Sequence, residues 1–368
     1  EGDLALGGGL SADQTIEITN STISGNSTKG DFAVGGGVFA NQTIQVTNSA
    51  ISGNSTKGDL AVGGGVFASA DITVANSTIS GNRSEGQYSH GGGVFARNVL
   101  IAEQSTITGN ATTGMNARGG GLYSVGNKGP GLTLTNSVLL GNVSVQGTFD
   151  EYQQGRNFGG TVAFTGGNII GRDNGPGAGV LVGGDDVSET TEAEVFAEIT
   201  DNNGVAAGAL ADNGGPVPTV ALNAAATNPA VDGSSTEGGA APTEADARGA
   251  PAIRARDLGA YELIADADLV VTTAEDKSDP TDGVTSLREA IAIANDSPYG
   301  LYDYVFSEDS GKAMEVAKLL RAGNVGINTL QRNNEAAFGG FKYSGVGRDG
   351  GSWGLHAYSE MQSIVWKG

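Results

Sequence analysis

The sequence predicts an all-β chain, a right-handed parallel β-helix of 28-residue coils with three short strands each, followed by a small α/β segment at its C-terminal end. Three observations carry this. Gly-Gly-Gly triplets open at Gly7, Gly35, Gly63, Gly91 and Gly119, each 28 residues after the one before, and no drift accumulates. A constant period with Gly, Asn and β-branched residues at fixed phases marks a solenoid. Within one copy, Thr43-Ile44-Gln45-Val46-Thr47 alternates polar and apolar side chains, which is strand periodicity. Glycine and β-branched residues at this density also oppose helical repeats.

Taken in order, one copy holds strands at Gly37–Ala40, Thr43–Thr47 and Ala50–Ser52, separated by Gly and Asn corners. The predicted inward set is Val38, Ala40, Ile44, Val46 and Ile51, with Val66, Ala68, Ile72, Val74 and Ile79 in the next copy. A few inward side chains cannot offset the entropy of ordering a whole coil. Neighbouring coils about 4.8 Å above and below must therefore supply backbone partners and close the core. Asn26, Asn54, Asn82 and Asn110 share one phase, which predicts an asparagine ladder with amides bonded from coil to coil at a corner.

The solenoid is expected over residues 1–172. Its copy at Gly119 is lengthened around Asn127-Lys128-Gly129-Pro130, the next connection runs from Val145 to Asn157, and Gly167-Asn168-Ile169-Ile170-Gly171 closes the last coil. The Gly-Gly-Gly-Val and Ser-Gly-Asn wording resembles the repeats of bacterial surface β-helix proteins, including polymorphic outer-membrane-protein types. Residues 173–265 form an acidic cap. No Lys or Arg occurs from Asp173 to Ala247, while Asp185, Asp186, Glu189, Glu192, Glu194, Glu198 and Asp201 crowd one stretch, read as solvated or as a divalent-cation site. Leu210-Ala211-Asp212-Asn213-Gly214-Gly215-Pro216, Asn228 to Gly233, Asp246 to Gly249 and Asp257-Leu258-Gly259-Ala260-Tyr261-Glu262 resemble the choice-of-anchor region of secreted β-helix proteins. Such a cap is expected to cover the last coil's open strand edge.

Residues 266–295 give a strand at Leu269–Thr273 and a helix opened by the capping box Ser286-Leu287-Arg288-Glu289. This segment resembles the domain named for a Cys-Ser-Leu-Arg-Glu-Ala motif, with Thr285 in place of the cysteine. Asp276, Asp279 and Asp282 read as a polar turn, with calcium as the alternative. Residues 296–368 change wording. Asp296-Ser297-Pro298-Tyr299-Gly300-Leu301, Gly323-Asn324-Val325-Gly326-Ile327-Asn328 and Phe338 to Asp349 resemble the C-terminal end of aldehyde dehydrogenases. The join falls at Glu289–Asn295, a helix that either family supplies, and it reads as a spliced or recombined gene. Local pattern gives strands at Tyr302–Phe306, Val325–Asn328 and Gln362–Trp366, and a helix over Asp309–Ala322.

The chain has 368 residues, net charge −21 and no cysteine. The acidic balance disfavours nucleic acid and anionic membranes as partners. Without cysteine there are no disulfides, thiolate metal sites or thiol nucleophile. No signal peptide or membrane-inserting run is read, and Glu1 falls inside a repeat, so the chain reads as a mature product or an excised piece. A secreted or cell-surface location is expected.

Asp3, Asp31 and Asp59 stack at one phase with Lys29 and Lys57 nearby, read as solvated corners with a calcium ladder as the sharper alternative. No other cofactor is called for. Phe39, Phe67, Phe95 and Tyr123 form an aromatic stripe. It is read either as an outward binding surface for a glycan or cell-surface partner or, if the Gly corner reverses the phase, as core. His90 and His356 stand alone, so a serine–histidine triad has no support. Asn20, Asn26, Asn41, Asn54, Asn76, Asn82, Asn110 and Asn142 each lie in N-x-S/T, mostly as a by-product of the repeat. Gly345-Val346-Gly347-Arg348-Asp349-Gly350 matches a dinucleotide fingerprint but reads as a loop, since no strand directly precedes it. Aldehyde oxidation needs a cysteine nucleophile and is not expected.

The function these readings point to is a non-catalytic extracellular structural or adhesive β-helix, with self-association end to end into filaments. The alternative is a carbohydrate-active lyase or hydrolase, with a cleft built by the inserted loops around Asn127 and Tyr152.

Overall fold

A computed structural model describes residues 3–126, 130–144, 148–149, 152–154, 161–171, 179–182, 189–202, 205–225, 227–236, 239, 241–250, 252, 255–263, 286–296, 299–329 and 336–345. The chain divides into two compact units, Glu1–Ile264 and Ala265–Gly368. The segments around Asn127, Leu269–Thr273, Asp276–Asp282, Val346–Gly350 and Gln362–Trp366 lie outside the described residues.

The first unit is a parallel β-helix of about five turns. In the coil that starts at Gly35 the strands are Val38–Ala40, Ile44–Thr47, Ala50–Ser52 and Ser55–Lys57. Each pairs in parallel with its equivalent in the next coil without slippage, as in Val38 with Val66, Ile44 with Ile72, Ile51 with Ile79 and Thr56 with Ser84. Register is strict because a one-residue slip would turn every inward side chain outward.

Four strands per coil, rather than the three expected, is a correction with a clear cause. Ser55-Thr56-Lys57 holds no apolar residue, so hydrophobic periodicity cannot detect it. Its inward residue, Thr56, is fully buried and donates through Oγ1 to Ser84 Oγ at 2.9 Å, and Ser84 Oγ donates to the Ala61 carbonyl at 2.8 Å.

The ten predicted inward residues of the second and third coils are all fully buried and belong to one apolar column that runs from Ile18 to Ile170. At the corner between the second and third sheets the backbone turns through left-handed residues, Asn20, Asn48, Asn76, Gln104 and Asn136. Asparagine tolerates that region because its short polar side chain bonds locally.

The region expected to cover the last coil's strand edge does so with one segment and continues as a strap along the coils behind it. The end of the third sheet is closed by antiparallel pairing of Asn168–Gly171 with Gly179–Val182, and of the latter with Glu189–Thr190. The following chain, including the short helix α1 (Glu192–Val195), then runs back along the outer face of that sheet as a strap. Val217, Ala247 and Ala260 pack on Ala50 of the second coil, while Val195, Phe196, Leu222 and Leu258 pack with Val138, Leu140 and Ile169 near the far end.

The second unit contains helix α2 (Leu287–Asp296) and a βαβ motif in which α3 (Ser310–Ala317) connects the parallel strands Tyr302–Val305 and Asn324–Ile327. Ser286 and Glu289 form the expected capping box, with Ser286 N donating to Glu289 Oε2 at 2.7 Å and Glu289 N to Ser286 Oγ at 3.2 Å. Asp309 caps α3 by accepting from Gly311 N and Lys312 N. The three motif segments meet. Tyr299–Gly300 pairs antiparallel with Phe341–Lys342, Gly300 N donates to Ser344 Oγ, and Asn324 Nδ2 donates to the Gly339 carbonyl. Among the described residues, no helix is long and apolar enough to cross a membrane.

Candidate functional site

The asparagine ladder joins Asn26, Asn54, Asn82 and Asn110 and continues to Asn142. The last member escapes a fixed 28-residue search because the insertion in the preceding coil shifts it by four residues. Each Nδ2 donates to the Oδ1 of the next asparagine at 3.1, 2.9, 2.9 and 2.8 Å. Each backbone N–H donates to the same oxygen at 3.0 Å. From Asn54 onward the amide also donates to a carbonyl of the previous coil, that of Ile23, Ile51, Ile79 or Ile107. In Asn54, Asn82 and Asn110 the carboxamide's two donors and two lone pairs are thus all used, the condition for burying it without penalty. A parallel serine ladder, Ser49, Ser77, Ser105 and Ser137, was not read from sequence. Each hydroxyl accepts the backbone N–H of the residue one coil earlier and donates to the carbonyl two residues before its own position.

Phe39, Phe67, Phe95 and Tyr123 stack face to face with centroids 5.7, 5.4 and 5.1 Å apart. They point away from the central column, yet Phe39, Phe67 and Phe95 are only 7, 1 and 7% exposed, so the outward binding stripe is corrected to a second, smaller core. The cause lies just before each glycine triplet. Leu6, Val34, Val62, His90 and Arg118 pair from coil to coil as a ladder of single bridges, and Val34 and Val62 pack against the rings. His90 stacks on Tyr123 at 4.7 Å; burial first, and then the charge of Arg118, hold its pKa down to about 4. It is a neutral wall residue of this stack.

The aspartates have a backbone task. Asp31 Oδ1 accepts Asp59 N at 3.1 Å, and Asp59 Oδ1 accepts Gln87 N at 2.9 Å, so each carboxylate caps the turn of the next coil. Among the described residues, no group of three His, Asp or Glu side chains is arranged to hold a metal ion, Asp3 included. Of the N-x-S/T asparagines, Asn20 and Asn41 are exposed, whereas Asn54, Asn76, Asn82, Asn110 and Asn142 are buried.

A buried charged cluster fastens the strap. Glu262 Oε2 accepts from Arg256 Nη1 at 2.7 Å and from Asp257 N at 3.0 Å, and Arg256 Nη2 donates to Asn76 Oδ1 at 3.1 Å. Asp257 accepts from Asp232 N and Leu263 N, and Asp246 accepts from Arg248 Nε at 2.7 Å and Glu262 N at 2.9 Å. Arg248 lies over the Tyr261 ring, 3.7 Å from its centroid. Three buried carboxylates thus meet two guanidinium groups. Burial, reinforced by the neighbouring Asp257 charge and opposed by Arg256, pushes Glu262 up to about 8; burial pushes Asp257 up to about 6.

A second left-handed ladder of non-glycine residues, Phe32, Leu60, Tyr88 and Asn116, also missed in sequence, lies on the turn that follows the fourth strand. Phe32, Leu60 and Tyr88 sit there at φ 66°, 61° and 57°, and are 52, 43 and 49% exposed. Met115, adjoining the equivalent residue Asn116, is 64% exposed.

Residues 282–364 match the aldehyde dehydrogenase family, a segment that takes in α2 and the βαβ motif. A Staphylococcus saprophyticus protein provisionally named an aldehyde dehydrogenase is 45% identical over 79 residues, which is 22% of this chain and 17% of that protein. A Staphylococcus epidermidis protein of the same name is 43% identical over 80 residues, with the same shares. Among solved structures, aldehyde dehydrogenase from Mycobacterium tuberculosis complexed with NAD+ is 36% identical, with a TM-score of 0.22 over 23% of this chain and 17% of that one. Betaine aldehyde dehydrogenase from Staphylococcus aureus in complex with NAD+ is 47% identical, with a TM-score of 0.20 over 21% and 16%. The chain therefore spans 17% of the length of the curated relatives it matches, and the likeness is confined to the C-terminal region.

Proposed function

We propose that this chain is a non-catalytic structural or adhesive β-helix of the extracellular space or cell surface, a stiff column that presents side chains at a fixed rise. The observation that carries this reading is the asparagine ladder from Asn26 to Asn142, whose inner members Asn54, Asn82 and Asn110 are fully satisfied. Its inner amides join coil to coil, and a column so tied resists bending and local opening. The resemblance of the repeats to those of bacterial surface proteins supports the location. The buried carboxylates of the first unit support the same reading, since Asp246, Asp257 and Glu262 are committed to backbone and guanidinium donors of the strap. The aldehyde-dehydrogenase-like region is proposed to be inactive, because the chain has no cysteine to attack a carbonyl.

One assay addresses both units. The purified chain is incubated with a panel of polysaccharides, with and without calcium, and separately with NAD and a panel of aldehydes. The expected outcome is retention of one or more glycans without shortening, and no NADH. Depolymerisation would establish the carbohydrate-active alternative; NADH formation would contradict the inactive tail.

A further inference from the structure

We propose that the strap is a releasable latch: its near end, over residues 211–219, 241–250 and 260–263, leaves the outer face of the third sheet while the coils beneath stay stacked, and the buried carboxylate–guanidinium cluster sets the condition for release.

The two ends of the strap are held differently. The far end is apolar, with Val195, Phe196, Leu222 and Leu258 packing on Val138, Leu140 and Ile169. The near end has little apolar area in its contact, the methyl groups of Ala247 and Ala260 and the side chain of Val217 against Ala50. Polar bonds tie it to the coils one at a time: Asn76 Nδ2 donates to the Ala245 carbonyl at 3.0 Å, Arg256 Nη2 to Asn76 Oδ1 at 3.1 Å and Ala260 N to Thr106 Oγ1 at 3.0 Å. The coils need none of this for their own cohesion. Every member of their apolar column and of the asparagine ladder lies between Ile16 and Ile170. An element held by few apolar contacts on a self-sufficient base is the kind that opens locally.

The covered face has its own control in the first coil. Thr22 and Ser24 stand in register with Ala50 and Ser52 and are exposed, so a face of this composition tolerates water. Thr78, the next member of that column, pairs with Ala50 on one side and Thr106 on the other, and is 1% exposed with its hydroxyl unpartnered. Release hydrates that hydroxyl, which closure leaves unsatisfied. It also joins Thr78, Ser80, Thr106 and Thr108 to the hydroxyl strip begun by Thr22 and Ser24. The condition for release comes from charge. Asp246, Asp257 and Glu262 face Arg248 and Arg256, with Asp232 beside Asp257, and from the coils the contacts are with the uncharged Asn76 and Gln104. Three carboxylates against two guanidinium groups balance only while one carboxyl keeps its proton. Burial holds that proton, raising Glu262 to about 8. The closed latch keeps its full advantage below the ordinary carboxylate range and loses it as pH rises through about 8.

The test is thiol labelling of the full chain, which has no cysteine of its own, at one introduced position at a time. Thr78→Cys lies beneath the strap, Thr22→Cys in the same column but uncovered, and Thr56→Cys inside the coils. A methanethiosulfonate reagent is used, and dividing by the Thr22→Cys rate removes the pH dependence of the thiolate itself. Between pH 6 and pH 9 the Thr78→Cys ratio is expected to rise by about tenfold or more, since each unit by which closure raises a pKa is a factor of ten. Thr56→Cys is expected to stay unlabelled at both pH values. Adding Glu262→Gln to Thr78→Cys is expected to flatten the rise. A Thr78→Cys ratio that does not rise, a Thr56→Cys thiol that labels in step with it, or a rise that Glu262→Gln leaves intact overturns the proposal. The pH comparison with Glu262 in place decides the matter by itself if Glu262→Gln does not fold.

Discussion

Asn82 shows how much one side chain carries in a repeating column. Its carboxamide accepts from Asn54 N and Nδ2 and donates to the Ile51 carbonyl and Asn110 Oδ1. Asn82→Ala removes these bonds while leaving the partners buried, and an abandoned buried polar group costs more than the bond itself contributed. Urea denaturation is expected to register a loss of about 2–4 kcal/mol, against under about 0.5 kcal/mol for a surface change such as Gln45→Ala. The phase of this ladder was legible because asparagine recurs there without exception. Phe39 and Phe32 were not legible in the same way. Alternation with Val38 places Phe39 on the far side of the strand, but only the fold supplies the Val34 and Val62 ladder that covers it. Phe32 sits in a turn, where no periodicity reports exposure and φ leaves no trace in an aromatic residue's identity.

At the scale of elements, inward apolar strands announced themselves and polar ones did not. Ile44-Gln45-Val46 alternates, whereas Ser55-Thr56-Lys57 is a strand whose buried side is a hydroxyl ladder. The strap was recognisable as a closing region through its wording. Its course along the third sheet depends on contacts such as Ala260 N with Thr106 Oγ1 and Gly208 N with Thr108 Oγ1, which join residues a hundred or more positions apart.

The strap's carboxylates make its docking sensitive to pH. Glu262 is raised to about 8 and Asp257 to about 6, so the folded state holds protons that the unfolded chain releases in the ordinary carboxylate range. The folded state binding more protons means that stability falls as pH rises. The contribution is complete below about pH 4.5 and is lost as pH rises through about 8. Thermal melts between pH 5 and pH 9 are expected to show the melting temperature falling with pH. Glu262→Gln, which keeps the shape without the charge, is expected to flatten that slope. A variant as pH-dependent as the parent would place the effect elsewhere.

For the whole molecule, two kinds of repetition have different consequences. The solenoid's stability is a sum over neighbouring coils, so its architecture was written into a period that could be counted. The C-terminal region was legible through three separate motifs, which the structure brings together at Gly300, Asn324 and Ser344. Function was the least legible, because the surfaces of a solenoid are set by which side chains its corners leave outside, and periodicity reports chiefly those kept inside.

The central claim is that successive copies stack directly on one another in unbroken register. Glu17, Gln45, Thr73, Ile101 and Thr133 are successive rungs on the outer face of the second sheet. Spin labels on Glu17→Cys and Thr133→Cys, in a chain with no other cysteine, report four rungs by electron–electron double resonance. Stacking gives a narrow distribution centred near about 19 Å between backbones, broadened only by the label arms. A broad distribution, or a centre beyond about 35 Å, would mean that the coils do not lie one above another.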